Sequence, residues 1–227
     1  GLILVHSQWF NSDSIVFSDA QMRINKIQKT YQLSIDSAQE KDFVNQKKYI
    51  NSAINLTENA IQRTPLDPNL HFIRGKLYSF LVGNEDKIKS SFEIESTLDQ
   101  TWVDLPIRQS QVWLFIDTKE TRRLWTEALE RASMGGDKAL IRTWSKILRQ
   151  ARRHPIEIRD TYKIIMNRND SYYIMRWMDY AGAKNLNSQM PIILQSKLLS
   201  NNTKKDISDR WKKISPKDYE RFLESIK

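Results

Sequence analysis

The stretch Tyr49–Asn84, YINSAINLTENAIQRTPLDPNLHFIRGKLYSFLVGN, decides the fold. Its first part places Ala53 and Ala60 seven residues apart. Two helical turns separate them, so both lie on one face, where small side chains let a neighbouring helix come close. Thr64-Pro65-Leu66-Asp67-Pro68 then stops that helix, because each proline lacks an N–H and pushes the preceding residue out of the α region. Asp67 or Asn69 can cap the next helix, with Pro68 accommodated in its first turn. That helix carries Leu70, Ile73, Leu77 and Leu81 at helical spacing, and Gly83-Asn84 is suited to close it in a left-handed C-cap.

Working outward, a return helix follows with Ile88, Phe92, Glu95 and Leu98. A third pair places Trp102, Leu105, Ile107, Val112 and Leu114 in one helix and Leu124, Trp125, Ala128, Leu129 and Ala132 in its partner, with Asp117-Thr118 as a capped turn between them. Gly75-x-x-Tyr78 resembles the Gly-x-x-Tyr core of the tetratricopeptide repeat, and Ala60 to Ala128 spans 68 residues, or two units of about 34. Glu95 stands in place of the consensus alanine and Gln100 in place of the closing proline, so the unit is degenerate. Three helix pairs are about the minimum for a stable stack. Upstream, Asp19–Ser37 reads as one helix with Met22, Ile24, Ile27, Tyr31 and Ile35 apolar. Downstream, Gly135-Gly136 is the chain's one double glycine and is read as the main joint. Beyond it shorter helices are expected near 137–153, 156–167, 170–181, 188–200, 204–213 and 216–226. The expected fold is all-α: a lead-in over 1–18, a tetratricopeptide-like helical-hairpin solenoid over 19–134, and an irregular short-helix array over 135–227 packed on the repeats.

Composition agrees with this reading. Only six Gly and six Pro punctuate 227 residues, too few turn signals for a β-sandwich or barrel. Seven Trp, eight Tyr and eight Phe argue against disorder. There is no Cys, which excludes disulfides and zinc-thiolate sites and leaves the compartment open. No run of 18 apolar residues spans a membrane. The apolar start Leu2–Val5, leading to Trp9-Phe10, fits the cut end of a membrane helix with Trp at the interface, a truncated edge, or a buried extended arm. Charge is uneven: residues 1–100 hold 11 Lys/Arg against 12 Asp/Glu, whereas 101–227 hold 25 against 15. An anionic partner is therefore expected on the second half.

Signatures of chemistry are missing. His6, His71 and His154 are not spaced as metal ligands, and His154 before Pro155 reads as a helix C-terminal residue. Glu85-Asp86 sits where a helix begins and offsets its dipole. No P-loop, Gly-x-Ser-x-Gly or Gly-x-Gly-x-x-Gly occurs, so neither catalytic nor cofactor-binding residues are assigned. The most pointed feature is a basic stripe. Lys138, Arg142, Lys146, Arg149 and Arg153 step by 4, 4, 3 and 4, which lays them along one helical face, with Arg152, Arg159 and Lys163 adding charge nearby. A solvated outer face would explain it; so would a surface for acidic glycans or lipid head groups. Nucleic acid is not expected, because Trp102, Trp113, Trp125, Trp144, Trp177 and Trp211, with Tyr172-Tyr173 and Met178, sit at core-like spacing rather than in stacking rows.

The segment from Ala60 to Ala132 also resembles the C-terminal repeat region of the bacterial O-antigen ligase and polymerase family of membrane proteins. The residues that carry this are Thr64-Pro65-Leu66-Asp67-Pro68, Leu70–Gly75, Trp102-x-x-Leu105-Pro106, Arg108, Trp113, Asp117, and Trp125-x-x-Ala128-Leu129-x-Arg131-Ala132. The resemblance implies a soluble periplasmic tail behind the last of many membrane helices, with the glycan-transferring chemistry elsewhere in the protein and membrane contact through the preceding part. None of the family's catalytic residues maps onto this chain. The other reading is a free-standing tetratricopeptide adaptor, cytoplasmic or otherwise, that holds a peptide or partner protein in its concave groove.

Overall fold

The computed structural model describes residues 19–225, which are helical with no strand among them. The lead-in over 1–18 lies outside the described residues. The chain forms two compact units that divide between Thr101 and Trp102, earlier than the Gly135-Gly136 joint expected from sequence.

The first unit is built from two helical hairpins. Helices α1 (Asp19–Gln39) and α2 (Phe43–Arg63) are joined by a tight turn in which Lys41 takes φ 62°. Asp42 caps α2 by accepting from the Asn45 N–H. Helices α3 (Pro68–Tyr78) and α4 (Glu85–Leu98) form the second hairpin, α3 starting with Asp67 as N-cap and Pro68 in its first turn, as the sequence reads. It ends at Tyr78, earlier than expected; Leu81 lies in the connecting turn, and Gly83, at φ 80°, leads into α4 rather than capping α3.

Ala53 and Ala60 are fully buried, and Ile27, Ile50, Leu70 and Leu77 close around them. The Phe92 ring of α4 lies directly over Gly75 of α3 and stacks on Phe72 at 5.8 Å. A β-carbon at position 75 would stand 2.5 Å from Phe92 Cε1, so the glycine is there to admit the ring. Tyr78, the other member of the Gly-x-x-Tyr pattern, donates its hydroxyl to Glu58 of α2.

The second unit holds the third hairpin, α5 (Leu105–Trp113) and α6 (Thr118–Ser133), together with everything after it. Helix α7 (Asp137–Ala151) follows Gly136, which takes φ 80°. Next come the short α8 (Pro155–Asp160), two 3₁₀ turns over Thr161–Ile164 and Met166–Arg168, then α9 (Ser171–Gln195), α10 (Asn201–Ile214) and α11 (Pro216–Ser225). Gly182, at φ 74° and ψ 155°, breaks α9 just after Ala181, where the sequence ends a helix.

Buried indoles organise this unit. Trp144, Trp177 and Trp125 have no exposed surface, and each N–H has found an acceptor: Tyr173 O at 3.0 Å, Ile158 O at 2.7 Å and Gln150 Oε1 at 2.7 Å. Trp211 and Trp113 are also buried. Trp102 departs from the core reading, being 39% exposed with the Arg108 guanidinium 5.3 Å from its ring, and Tyr172 is exposed where Tyr173 is buried.

Gly75→Ala should destabilise the protein by about 1–3 kcal/mol, because the Phe92 ring must leave its rotamer or the helices must part. Chemical denaturation measures this, and combining Gly75→Ala with Phe92→Leu should recover part of the loss.

Candidate anion-binding face

The orientation of α7 is set by what its inner face holds. Leu140, Thr143, Trp144, Ile147, Leu148, Gln150 and Ala151 are buried. Gln150 is the polar centre of that face. Its Oε1 accepts from the Trp125 indole of α6, its Nε2 donates to Ile107 O of α5 at 2.8 Å, and the Ser110 hydroxyl lies 2.8 Å from the same Oε1. Trp144 fixes the same helix to Tyr173 of α9. Rotating α7 about its axis would break these buried bonds, so the outer face is held towards solvent.

That face carries the basic stripe, although the structure does not keep all five members equivalent. Lys138, Arg142 and Arg149 are exposed on α7 within about 17 Å along the axis, from 1.5 Å of rise per residue. They form no ion pair among the described residues; Arg149 makes one 3.2 Å hydrogen bond, to Ser145 O of its own helix. Lys146 is half-buried and already neutralised, its ammonium on Asp104 at 2.5 Å. Arg153 is exposed and unpaired among the described residues, but it lies beyond the end of α7 at Ala151. The even helical row read from spacing is therefore three free cations on the helix, with Arg152 and Arg153 in the turn that follows.

Arg159 and Lys163 share a single carboxylate and so add one net positive charge rather than two. Both pair with Asp160, at 2.8 and 2.9 Å, and Arg122 of α6 forms a bidentate pair with buried Glu157 at 2.7 and 2.8 Å. This cluster ties α8 and the following turn to α6. Sequence reasoning did not single it out; its one local signal is the i, i+3, i+6 run Glu157, Asp160, Lys163. His154, expected at a helix C-terminus, instead caps the N-terminus of α8 by accepting from the Glu157 N–H at 3.4 Å.

Three free cations on a rigid, water-exposed face suit weak, screened attraction to an anion. Exposure also leaves charge-stabilised chemistry without a dry site. Among the described residues no group of His, Asp and Glu could hold a metal ion, and no helix is long and apolar enough to cross a membrane. No protein-family model matches the chain, and comparison with curated proteins and with solved structures found no match.

Asp160 supplies a pH test of the ion cluster. Burial pushes its carboxyl upward, but hydrogen bonds from Arg159 and Lys163 outweigh this and hold it below the ordinary value. A depressed folded-state value means stability present above the unfolded carboxyl range, about 3.9, and lost as pH falls through the lower folded value. Asp160→Asn should therefore be less stable than the native chain at neutral pH, with the difference shrinking below about pH 4 in denaturation measured across pH.

Proposed function

We propose that this chain is a non-catalytic binding and positioning module, the soluble periplasmic part of a membrane protein of surface-polysaccharide assembly. Its hairpins would continue as a tetratricopeptide-like solenoid. It would hold an acidic glycan, a lipid head group or a partner protein near chemistry carried elsewhere in the same protein.

The observation that carries the proposal is the outer face of α7. Lys138, Arg142 and Arg149 stand free of ion pairs among the described residues, while Lys146, Arg122, Arg159 and Lys163 are satisfied internally. Cations left unpaired beside cations that are paired mark where an external anion gains most. The repeat-like pattern from Tyr49 to Ala132 and the resemblance carried by Ala60–Ala132 support the setting.

Reversing Lys138, Arg142 and Arg149 together to Glu should weaken binding to an acidic polysaccharide at least tenfold at low salt, read by isothermal titration or biolayer interferometry. The unfolding midpoint should shift little, because exposed charges outside ion pairs change stability by about 0.5 kcal/mol or less. Unchanged affinity would reduce the row to a solvated face. Lys146→Glu is the contrasting variant: it faces Asp104 with a like charge, and should destabilise the protein as well.

A further inference from the structure

The tip of the α1–α2 hairpin carries a surface that the α7 reading does not use. Phe43 and Val44, the first two residues of α2, are 64% and 82% exposed. Other large apolar residues are as exposed, such as Val82 and Met134, but Phe43 and Val44 are adjacent and form a small contiguous patch, which marks a contact surface more than a single exposed residue does. Core formation does not place them there, since the buried residues of α2 begin at Ile50. Nor can the neighbouring hairpin cover them fully. Helix α3 has 11 residues, about 16 Å, against the 21 residues, about 31 Å, of α2, so it can run along only half of α2.

We infer that this tip docks on an anionic lipid surface, with Phe43 and Val44 entering the head-group and acyl boundary and Lys47 and Lys48 meeting phosphate. Order along the helix supports this. Lys47 follows Phe43, and Lys48 follows Val44, by four residues each, so each lysine is rooted about 6 Å of helix rise behind an apolar residue on the same face. Asn51, Ser52 and Asn55 continue that face, lining one shallow depression with the four residues ahead of them. Apolar, then cationic, then neutral polar is the sequence of environments met on leaving a bilayer. A protein partner would instead be expected to meet an apolar centre ringed by polar groups.

Charge agrees. Between Asp42 and Glu58, α2 contains no carboxylate, so this face carries two positive charges and none opposing them. In the turn, Glu40 and Lys41 offset one another in formal charge, and the Asp42 carboxylate, held by the N–H and side-chain amide of Asn45, keeps one negative charge, so the tip from Glu40 to Lys48 remains net positive by one, three lysines against two carboxylates. Helical side chains lean towards the N-terminus of their helix, which carries Phe43 and Val44 forward over that turn.

The native chain has no cysteine, so Val44→Cys labelled with an environment-sensitive nitrobenzoxadiazole dye reports on this position alone. With vesicles of phosphatidylcholine containing phosphatidylglycerol, the dye should shift to the blue and brighten; with phosphatidylcholine alone it should stay near its value in water. Phe43→Ser should weaken vesicle binding about tenfold, from lost apolar burial. Lys47→Gln with Lys48→Gln should weaken it about thirtyfold, from roughly 1 kcal/mol per lysine at an anionic surface. Circular dichroism and the unfolding midpoint should not change. The inference is overturned if the dye stays in water on phosphatidylglycerol vesicles, if it responds equally to both vesicle types, or if it shifts without lipid as protein concentration rises, which would make a second copy the occupant. Repeating the titration in the chain reversed at Lys138, Arg142 and Arg149 separates the two proposals. Lipid held by α7 would bind the vesicle and leave the dye at position 44 in water.

Discussion

One buried amide sets the frame of the second unit. Gln150 accepts the Trp125 indole proton and gives its own to Ile107 O, with the Ser110 hydroxyl against the same oxygen. Three helices thus meet on a side chain that is 4% exposed. A neutral hydrogen bond contributes only about 1 kcal/mol net, but an unsatisfied buried group costs about 1–3 kcal/mol, so such a node specifies one arrangement by penalising the others. A shifted or rotated α7 leaves an indole, an amide and a carbonyl stranded in an apolar core. The outward direction of the cations follows from that penalty more than from any contact the cations make themselves.

The buried tryptophans show the same logic. Each supplies a large apolar surface and one donor, and Trp144 and Trp177 spend that donor on backbone carbonyls of other helices. Short helices such as α8, with six residues, have little packing of their own to hold them. The Trp177 bond to Ile158 O and the Arg122–Glu157 pair attach α8 on two sides. Irregularity in this half of the chain is therefore compensated by directional bonds. The first unit instead relies on close helix approach at Ala53, Ala60 and Gly75.

Much of the helical architecture was legible in the sequence, because prolines, capping aspartates and helical spacing act locally. Asp67 with Pro68, Asp117 and the break after Ala181 all fall where the residues place them. The early end of α3 was not legible, since Leu81 continues the apolar spacing while the chain has already turned. Nor was the division at Thr101, because it depends on which buried side chains meet: the third hairpin contributes Ile107, Leu114 and Trp125 to the second core. Spacing put five cations on one line, but only tertiary contact could show Lys146 claimed by Asp104 and Arg153 past the helix end. Phe43 and Val44 escaped notice because local pattern does not say where a neighbouring helix stops.

Helix α7 presents a fixed cationic face, and the proposed function has an external anion occupy it. Backbone amide NMR of the isotope-labelled chain, titrated with an acidic oligosaccharide, tests this residue by residue. The predicted result is saturable shifts concentrated over residues 138–153, with the indole signals of Trp125 and Trp144 unmoved because the buried node stays intact. Shifts spread evenly over the basic surface, or confined to the first unit, would contradict it.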